Sequence, residues 1–300
     1  MKKRLIILFC TVFLMACKTS SNITMMVPQG SPAMTILGLN DDVYNIDIVN
    51  GPDVLIAAFG SGSHDAIIAP TNLGAKLYGA KDNYRLAASL VWGNYHLVSQ
   101  SFDEPSFLDL DQKEIIVFGR NQTSDIILQF LINAHHINPV LTYVDSLQNA
   151  QAMYILEPHK IVMVAEPSLS TIKTLVQGTK SIDLQHVYQD ITQTSSYPQA
   201  SLFVHKRLSN RDVETLCQDI KTSIEGINRY ETSLIQKGVS LGIATHESVL
   251  RDAIEGSHLS FAYGLDVVLD IEAYFEIIIA MNPKLLGNTL PPRTFYWSKP

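Results

Sequence analysis

This sequence predicts a two-lobed α/β protein, and three observations carry that expectation. Short apolar runs of strand type alternate along the chain with helical patterns, the signature of parallel sheets covered by helices. The 300 residues exceed the roughly 100–200 of one ordinary domain, so more than one core is expected. Hydrophobic residues make up 46% and charged residues 17% of the chain, enough apolar mass for substantial cores, which excludes disorder as the main state. The formal charge of −7 argues against a general nucleic-acid binder, whose affinity would rest on Lys and Arg neutralising phosphates.

The elements follow in chain order. Lys2, Lys3 and Arg4 precede an apolar run from Leu5 to Met15, shorter than the ~20 residues a membrane span needs. Residues 1–16 are therefore expected to be a signal peptide. Its end, Leu14-Met15-Ala16-Cys17, resembles the bacterial lipobox, where the chain is cut before a cysteine that then carries lipid. Residues 17–22 would form the lipidated tether, with Cys17 as the lipidation site and two acyl chains giving stable attachment. Of the three cysteines, Cys10 leaves with the signal and Cys17 is lipidated, so Cys217 alone remains as a thiol. No internal disulfide and no Cys-rich metal site is expected.

Ile23 to Val27 reads as a strand, and Gln29-Gly30-Ser31-Pro32 as a turn into a helix, because Ser caps and Pro suits the first helical position. Tyr44 to Val49 is the next strand. Asn50-Gly51-Pro52-Asp53 opens a helix through Phe59 that Gly60-Ser61-Gly62 closes. Ala66 to Ala69 is a third strand, followed by Pro70-Thr71-Asn72 and the helical stretch Leu73 to Tyr78. Leu86 to Ser99 reads as a long strand interrupted by Trp92-Gly93-Asn94-Tyr95, where Gly and Asn predict a bend or a close backbone approach. A second series follows, with strands Ile115 to Phe118, Leu141 to Val144 and Ile161 to Ala165, and helices at Asp125 to Ala134 and near 146–156. Ala200 to His205 is a strand leading back to the first lobe. The remainder is mostly helical. Ser209-Asn210-Arg211-Asp212 has capping-box spacing, and Val213, Leu216, Ile220, Ile224 and Ile227 recur at helical intervals after it. Further helices are expected at 246–255, with Gly256 as stop, and at 264–280, with Leu265, Val268, Phe275 and Ile278 on its apolar face.

Three turns share one design, in which a strand ends, small or polar residues follow and a helix begins: Gln29 to Pro32, Pro70 to Asn72 and Arg120 to Ser124. In parallel α/β sheets, ligands bind outside the carboxyl ends of strands, where free N–H groups at helix starts accept anions or carbonyls. Two facing lobes would bring these turns together at a cleft. Trp92 has two readings, a platform for a flat ligand or a ring buried at the lobe junction. Glu166, ahead of Pro167, likewise reads either as a cleft acid or as a carboxylate favoured at a helix start. Catalytic signatures are mostly absent. Gly60-Ser61-Gly62-Ser63-His64 has Gly where the nucleophile of a Gly-x-Ser-x-Gly elbow belongs, and no phosphate-binding Gly-x-x-x-x-Gly-Lys loop occurs. His135 and His136 are adjacent and point about 100° apart on a helix, unlike metal ligands at i and i+4, so no metal is expected.

The chain resembles a solute-binding lipoprotein of an ABC transporter, of the nitrate/taurine/thiamine-precursor type. The residues carrying this are Val27-Pro28-Gln29-Gly30-Ser31-Pro32-Ala33, His64 to Tyr78, Trp92-Gly93-Asn94-Tyr95-His96-Leu97-Val98-Ser99, and the tail Phe275 to Asn282 with Leu290-Pro291 and Phe295-Tyr296. The resemblance implies a type II periplasmic-binding-protein fold, two α/β lobes joined by two crossover segments with a helical C-terminal part. Residues 23–95 and 201–262 would form lobe 1, residues 96–200 lobe 2, and residues 263–300 the C-terminal helix and tail. It implies a non-catalytic monomer, held on the extracytoplasmic face of the cell membrane by its lipid. There it would capture a small polar molecule in the interlobe cleft for a permease with a separate ATPase, without cofactor or nucleic acid. By the match, the ligand-facing residues would be Gln29, Gly30, Ser31, Thr71, Asn72, Asn94, Tyr95, Gln122, Thr123 and Glu166. The sequence departs from sulfonate or nitrate binders in offering no Arg or Lys at the turns except Arg120. An enzyme of vitamin-precursor metabolism on the same scaffold, or a surface sensor without a transporter, are the alternatives.

Overall fold

The structure, a computed structural model, describes residues 22–194 and 196–299. The expected signal peptide and the lipidation site Cys17 lie outside the described residues. Two sheets organise the chain. The first contains β1 (Ile23–Pro28), β2 (Tyr44–Val49), β3 (Ala66–Pro70), β4 (Tyr84–Val91), β10 (Ala200–His205) and β11 (Leu259–Tyr263), in the order β11-β4-β10-β3-β1-β2. Its β1 pairs parallel with β2 and β3, whereas β10 runs antiparallel to β3 and β4. The second contains β5 (Tyr95–Ser99), β6 (Glu114–Phe118), β7 (Val140–Val144), β8 (Ile161–Ala165) and β9 (Lys180–Asp183), in the order β7-β6-β8-β5-β9.

Helices follow the strands. In the first half these are α1 (Ser31–Met34), α2 (Pro52–Ser61) and α3 (Thr71–Tyr78). The second sheet carries α4 (Thr123–His135), α5 (Leu147–Leu156), α6 (Ser168–Leu175) and α7 (Leu184–Thr192). After β10 come α8 (Asn210–Asn228), α9 (Thr232–Ser240), α10 (Glu247–Gly256) and α11 (Val268–Met281). Two helix starts reach further than their patterns suggest: α3 begins at Thr71 and α4 at Thr123, each immediately after its turn. The α6, β9–α7, α9 and β11 segments are too short or too weakly periodic to be read from sequence.

The interrupted strand at 86–99 resolves into two. β4 stays in the first sheet and β5 opens the second, so Trp92-Gly93-Asn94 is one crossing between lobes. Tyr95 thereby belongs to the second sheet and Ala200 to the first. Gly93 has a φ of 67°, and a β-carbon there would stand 2.9 Å from Cζ of Tyr197, so the backbone approach needs glycine twice over. Residues 196–199 form the second crossing. The two are tied together, since Asn94 N–H donates to Gln199 Oε1 at 2.9 Å and Gln199 Nε2 donates to Asn94 Oδ1 at 2.6 Å.

The α8 heptad-like face behaves as its spacing predicts, and Val213, Leu216, Ile220, Ile224 and Ile227 are all buried against the first sheet. Each such side chain contributes about 1.5–3 kcal/mol relative to exposure. Ser209 Oγ accepts from Asp212 N–H at 3.2 Å, which starts the helix. Cys217 is buried on the same face, where desolvation pushes its thiol up to about 12. Gly256 is not a left-handed stop: Ser257 caps α10 in right-handed geometry, and Gly256 instead permits close approach of Glu166.

Helix α11 and the tail join the lobes. From the half-buried Phe130 a path of buried rings runs through Tyr188 on the second lobe, then Tyr197, Tyr274, Phe275 and Phe295, to Phe203, Phe59 and Tyr84 on the first. Successive centroids are 5.0 to 6.4 Å apart, the separation at which aromatic pairs attract. The tail then extends the first sheet, with Trp297 N–H donating to Leu86 O at 2.8 Å.

Candidate functional site

A cleft of about 930 Å³ lies between the lobes. From the first lobe it is lined by Pro28-Gln29-Gly30, Val49 to Pro52, Leu55, Pro70 and Leu241-Gly242-Ile243. The second lobe contributes Phe118-Gly119, Gln122, Asp145 to Gln148 and Pro167-Ser168. The construction is uniform. Gly30, Gly51, Pro70, Gln122, Ser146 and Pro167 are the N-cap residues of α1 to α6, and all six face this one space. Each helix follows a strand with its first turn at the carboxyl edge of the sheet, so exposed backbone N–H groups and the positive ends of the helix dipoles converge there. Only Ser146 supplies a side-chain cap, accepting from Asn149 N–H at 3.1 Å; the other five N-caps make no side-chain cap bond.

The walls are otherwise neutral or apolar. Val49, Leu55, Phe118, Leu147, Leu241 and Ile243 give an apolar share, and Asn50, Gln122, Gln148 and Ser168 give hydrogen-bonding groups. Among the described residues Asp145 is the single charged side chain in the lining, and no Lys or Arg belongs to it. Arg120 lies over the Tyr143 ring, 5.0 Å from its centroid. Gln29 is already engaged, since its Nε2 donates to Gly242 O at 2.7 Å and so holds the 241–243 loop at the rim.

The sequence-derived ligand residues divide into two groups. Gln29, Gly30 and Gln122 line the cleft. Ser31, Thr71, Asn72, Asn94, Tyr95, Thr123 and Glu166 are buried beneath and beside it, bonded mostly to one another and to neighbouring serines. The Ser31 hydroxyl accepts from Asn94 Nδ2 at 2.7 Å and stands 3.1 Å from Glu166 O and 2.9 Å from Ser257 Oγ. Thr123 Oγ1 donates to Asn72 Oδ1 at 3.0 Å, a direct bond between lobes, and Thr71 Oγ1 pairs with Ser201 Oγ at 2.8 Å. Tyr95 stacks parallel to Tyr197 at 6.5 Å between centroids. Trp92 is buried at its crossing, with Nε1 donating to Ser260 O at 2.9 Å. Glu166 closes the start of α6: its carboxylate accepts from Ser170 N–H at 3.1 Å and from Ser170 Oγ at 3.0 Å.

Sequence reading missed Asn50-Gly51, Asp145 to Gln148, Ser168 and Leu241 to Ile243. The first three groups carry the same strand-to-helix signal as the turns it selected, whereas nothing local marks the 241–243 loop. Among the described residues no group of three or more His, Cys, Asp or Glu is placed to hold a metal ion. A hydrogen-bonded Ser–His–Asp chain does exist, with Ser63 Oγ 2.7 Å from His64 Nδ1 and His64 Nε2 3.0 Å from Asp47 Oδ2. None of the three residues lines the cleft.

No family model matches the sequence, and no curated protein matches it. Solved structures do match the fold. A crystal structure of an ABC transporter protein from Parabacteroides distasonis superposes with a TM-score of 0.81 at 18% identity, covering 93% of this chain and 99% of that one. The aliphatic sulphonate binding protein SsuA from Escherichia coli gives a TM-score of 0.70 at 13% identity, covering 93% and 92%. The alkanesulfonate-binding protein SsuA from Xanthomonas axonopodis pv. citri, bound to MOPS, gives 0.67 at 14%, covering 92% and 98%. The first of these neighbours is described as an ABC transporter and the other two as sulfonate-binding proteins, the Escherichia coli one periplasmic. With two sheets, eleven α-helices and two crossings among the described residues, the chain has the periplasmic-binding-protein-like fold of these neighbours.

Proposed function

We propose that this chain is an extracytoplasmic solute-binding lipoprotein, monomeric and anchored through Cys17. It captures a small polar molecule in the interlobe cleft and passes it to an ABC permease with a separate ATPase. The observation that carries this reading is the convergence of six helix starts on one cleft between two lobes. Such an arrangement supplies many fixed N–H donors and a shaped cavity, within the range of about 300–1,000 Å³ usual for small-molecule sites. The absence of cationic side chains from the lining favours a ligand held by hydrogen bonds and helix dipoles over one held by ion pairs. The mixed apolar and amide walls suit a small, flat, polar molecule, of the size of a vitamin precursor.

The test is a thermal-shift screen of the purified protein against vitamin precursors, sulfonates and amino acids. A ligand that binds only the native state raises the melting temperature by mass action, about 2.7 kcal/mol at a hundred times its Kd. A protein that binds none of these compounds while turning over a substrate refutes the reading. Cys17→Ala should move the protein from the membrane to the soluble fraction, and unchanged fractionation rejects the anchor.

A further inference from the structure

Glu166 stands where the lobes meet, one residue before the cleft-lining Pro167. The residue is only 4% exposed. Both carboxyl oxygens are held by Ser170, Oε2 by its N–H at 3.1 Å and Oε1 by its Oγ at 3.0 Å. The same side chain presses on the end of α10 in the first lobe, so closely that a β-carbon on Gly256 would lie 2.9 Å from Oε1. The backbone of Glu166 crosses the same boundary. Its C=O is 3.1 Å from Ser31 Oγ, and its N–H donates to Asn94 O at 3.4 Å. One residue of the second lobe thus touches α1, α10 and the first crossing at once.

Among the described residues no cation pairs with this carboxyl group at contact distance. Of the charged groups that face it, Lys173 on its own helix favours ionisation and Asp252 on α10 opposes it. From α1 and the first crossing come only the neutral Ser31 and Asn94. Burial exceeds the help of Ser170 and Lys173, and the group is pushed up to about 7. Separation of α6 from α10 would return it to water and to the ordinary carboxylate range.

We propose that closure of the two lobes takes up one proton at Glu166, so that acid favours the closed form and alkali loosens it. The inference rests on the reading that the lobes hinge about the two crossings. The sign follows from linkage. Because the closed form holds the proton more tightly, the closed state is fully favoured below the open-state value and loses ground as pH rises through about 7. The ratio of closed to open protein should fall on the order of 100-fold between about pH 5 and pH 8.5.

The experiment is small-angle scattering of the ligand-free full chain across that pH range. The wild type should expand as pH rises from about 5 to about 7 and change little above that. Glu166→Gln, which keeps the shape of the neutral acid, should stay compact throughout. Asp252→Asn removes a facing negative charge and should move the expansion to lower pH, which keeps the test open if Glu166→Gln does not fold. A radius of gyration that ignores pH in the wild type, an expansion that persists in Glu166→Gln, or a midpoint that Asp252→Asn leaves in place overturns the proposal. Failure here is separable from failure of the solute-binding reading. A protein that binds a ligand at fixed pH yet never expands loses only the proton linkage, and one that expands but binds nothing loses only the transport role.

Discussion

The two flanks of the interlobe contact are built from opposite materials. On the α11 flank, ring touches ring from Tyr188 through Tyr197, Tyr274, Phe275 and Phe295 to Phe203. On the α6–α10 flank the contacts are Ser31, Asn94, Glu166 and Ser257, joined by hydrogen bonds. Apolar contact is lost outright when surfaces part, at about 25 cal/mol per Å². A hydrogen bond is exchanged for one with water and contributes only about 0.5–1.5 kcal/mol net. The difference teaches which contacts part with least loss: the bonds of Ser31 and Ser257 can be exchanged for bonds to water, whereas the ring contacts of the α11 flank cannot.

The largest expected effect breaks the aromatic flank. Tyr274→Ala removes the ring between Tyr197 and Phe275 and should destabilise the protein by about 3–5 kcal/mol in denaturant unfolding, the range for large aromatic truncations. A loss under about 1 kcal/mol would show that the ring path does not join the lobes. A smaller effect is expected on the other flank. Ser31→Ala deprives Asn94 Nδ2 of its acceptor and should cost about 1–2 kcal/mol, while raising the radius of gyration of the ligand-free protein. If Ser31→Ala destabilises as much as Tyr274→Ala, the contrast between the flanks is void. The smallest effect on stability belongs to the cleft wall between them. Gln148→Ala, at an exposed position, should change unfolding by less than about 0.5 kcal/mol yet weaken ligand binding several-fold by calorimetry. Unaltered affinity would remove α5 from the recognition surface.

Much of the fold is legible in the chain because it is written in local periodicity. The strand at 66–69, the capped start of α8 and the left-handed end of α2 at Gly62 follow from residues within a few positions of each other. The interruption at Trp92-Gly93-Asn94 is visible as well, although only pairing shows that β4 and β5 belong to different sheets. Short elements such as β9 and α9 are invisible because packing, rather than pattern, holds them. The site is half legible for a related reason. Turn chemistry identifies helix starts, and helix starts do line the cleft. The same chemistry cannot say which polar side chain faces the space and which faces another residue.

Asn94 and Gln122 show the division. Both are polar amides at a turn. Gln122 stands open at the rim, whereas Asn94 is claimed by Gln199, 105 residues later, and by Ser31, 63 residues earlier. Likewise Glu166 is set against Gly256 by a contact that no local rule encodes. By itself the sequence determined the alternation of strands and helices, the turns that start those helices and the acidic balance of the chain, since each depends on neighbours along the backbone. Only the tertiary structure decided which flank is apolar, which polar groups neutralise one another and which remain for a ligand, since those depend on partners that closure of long loops alone brings within 3 Å.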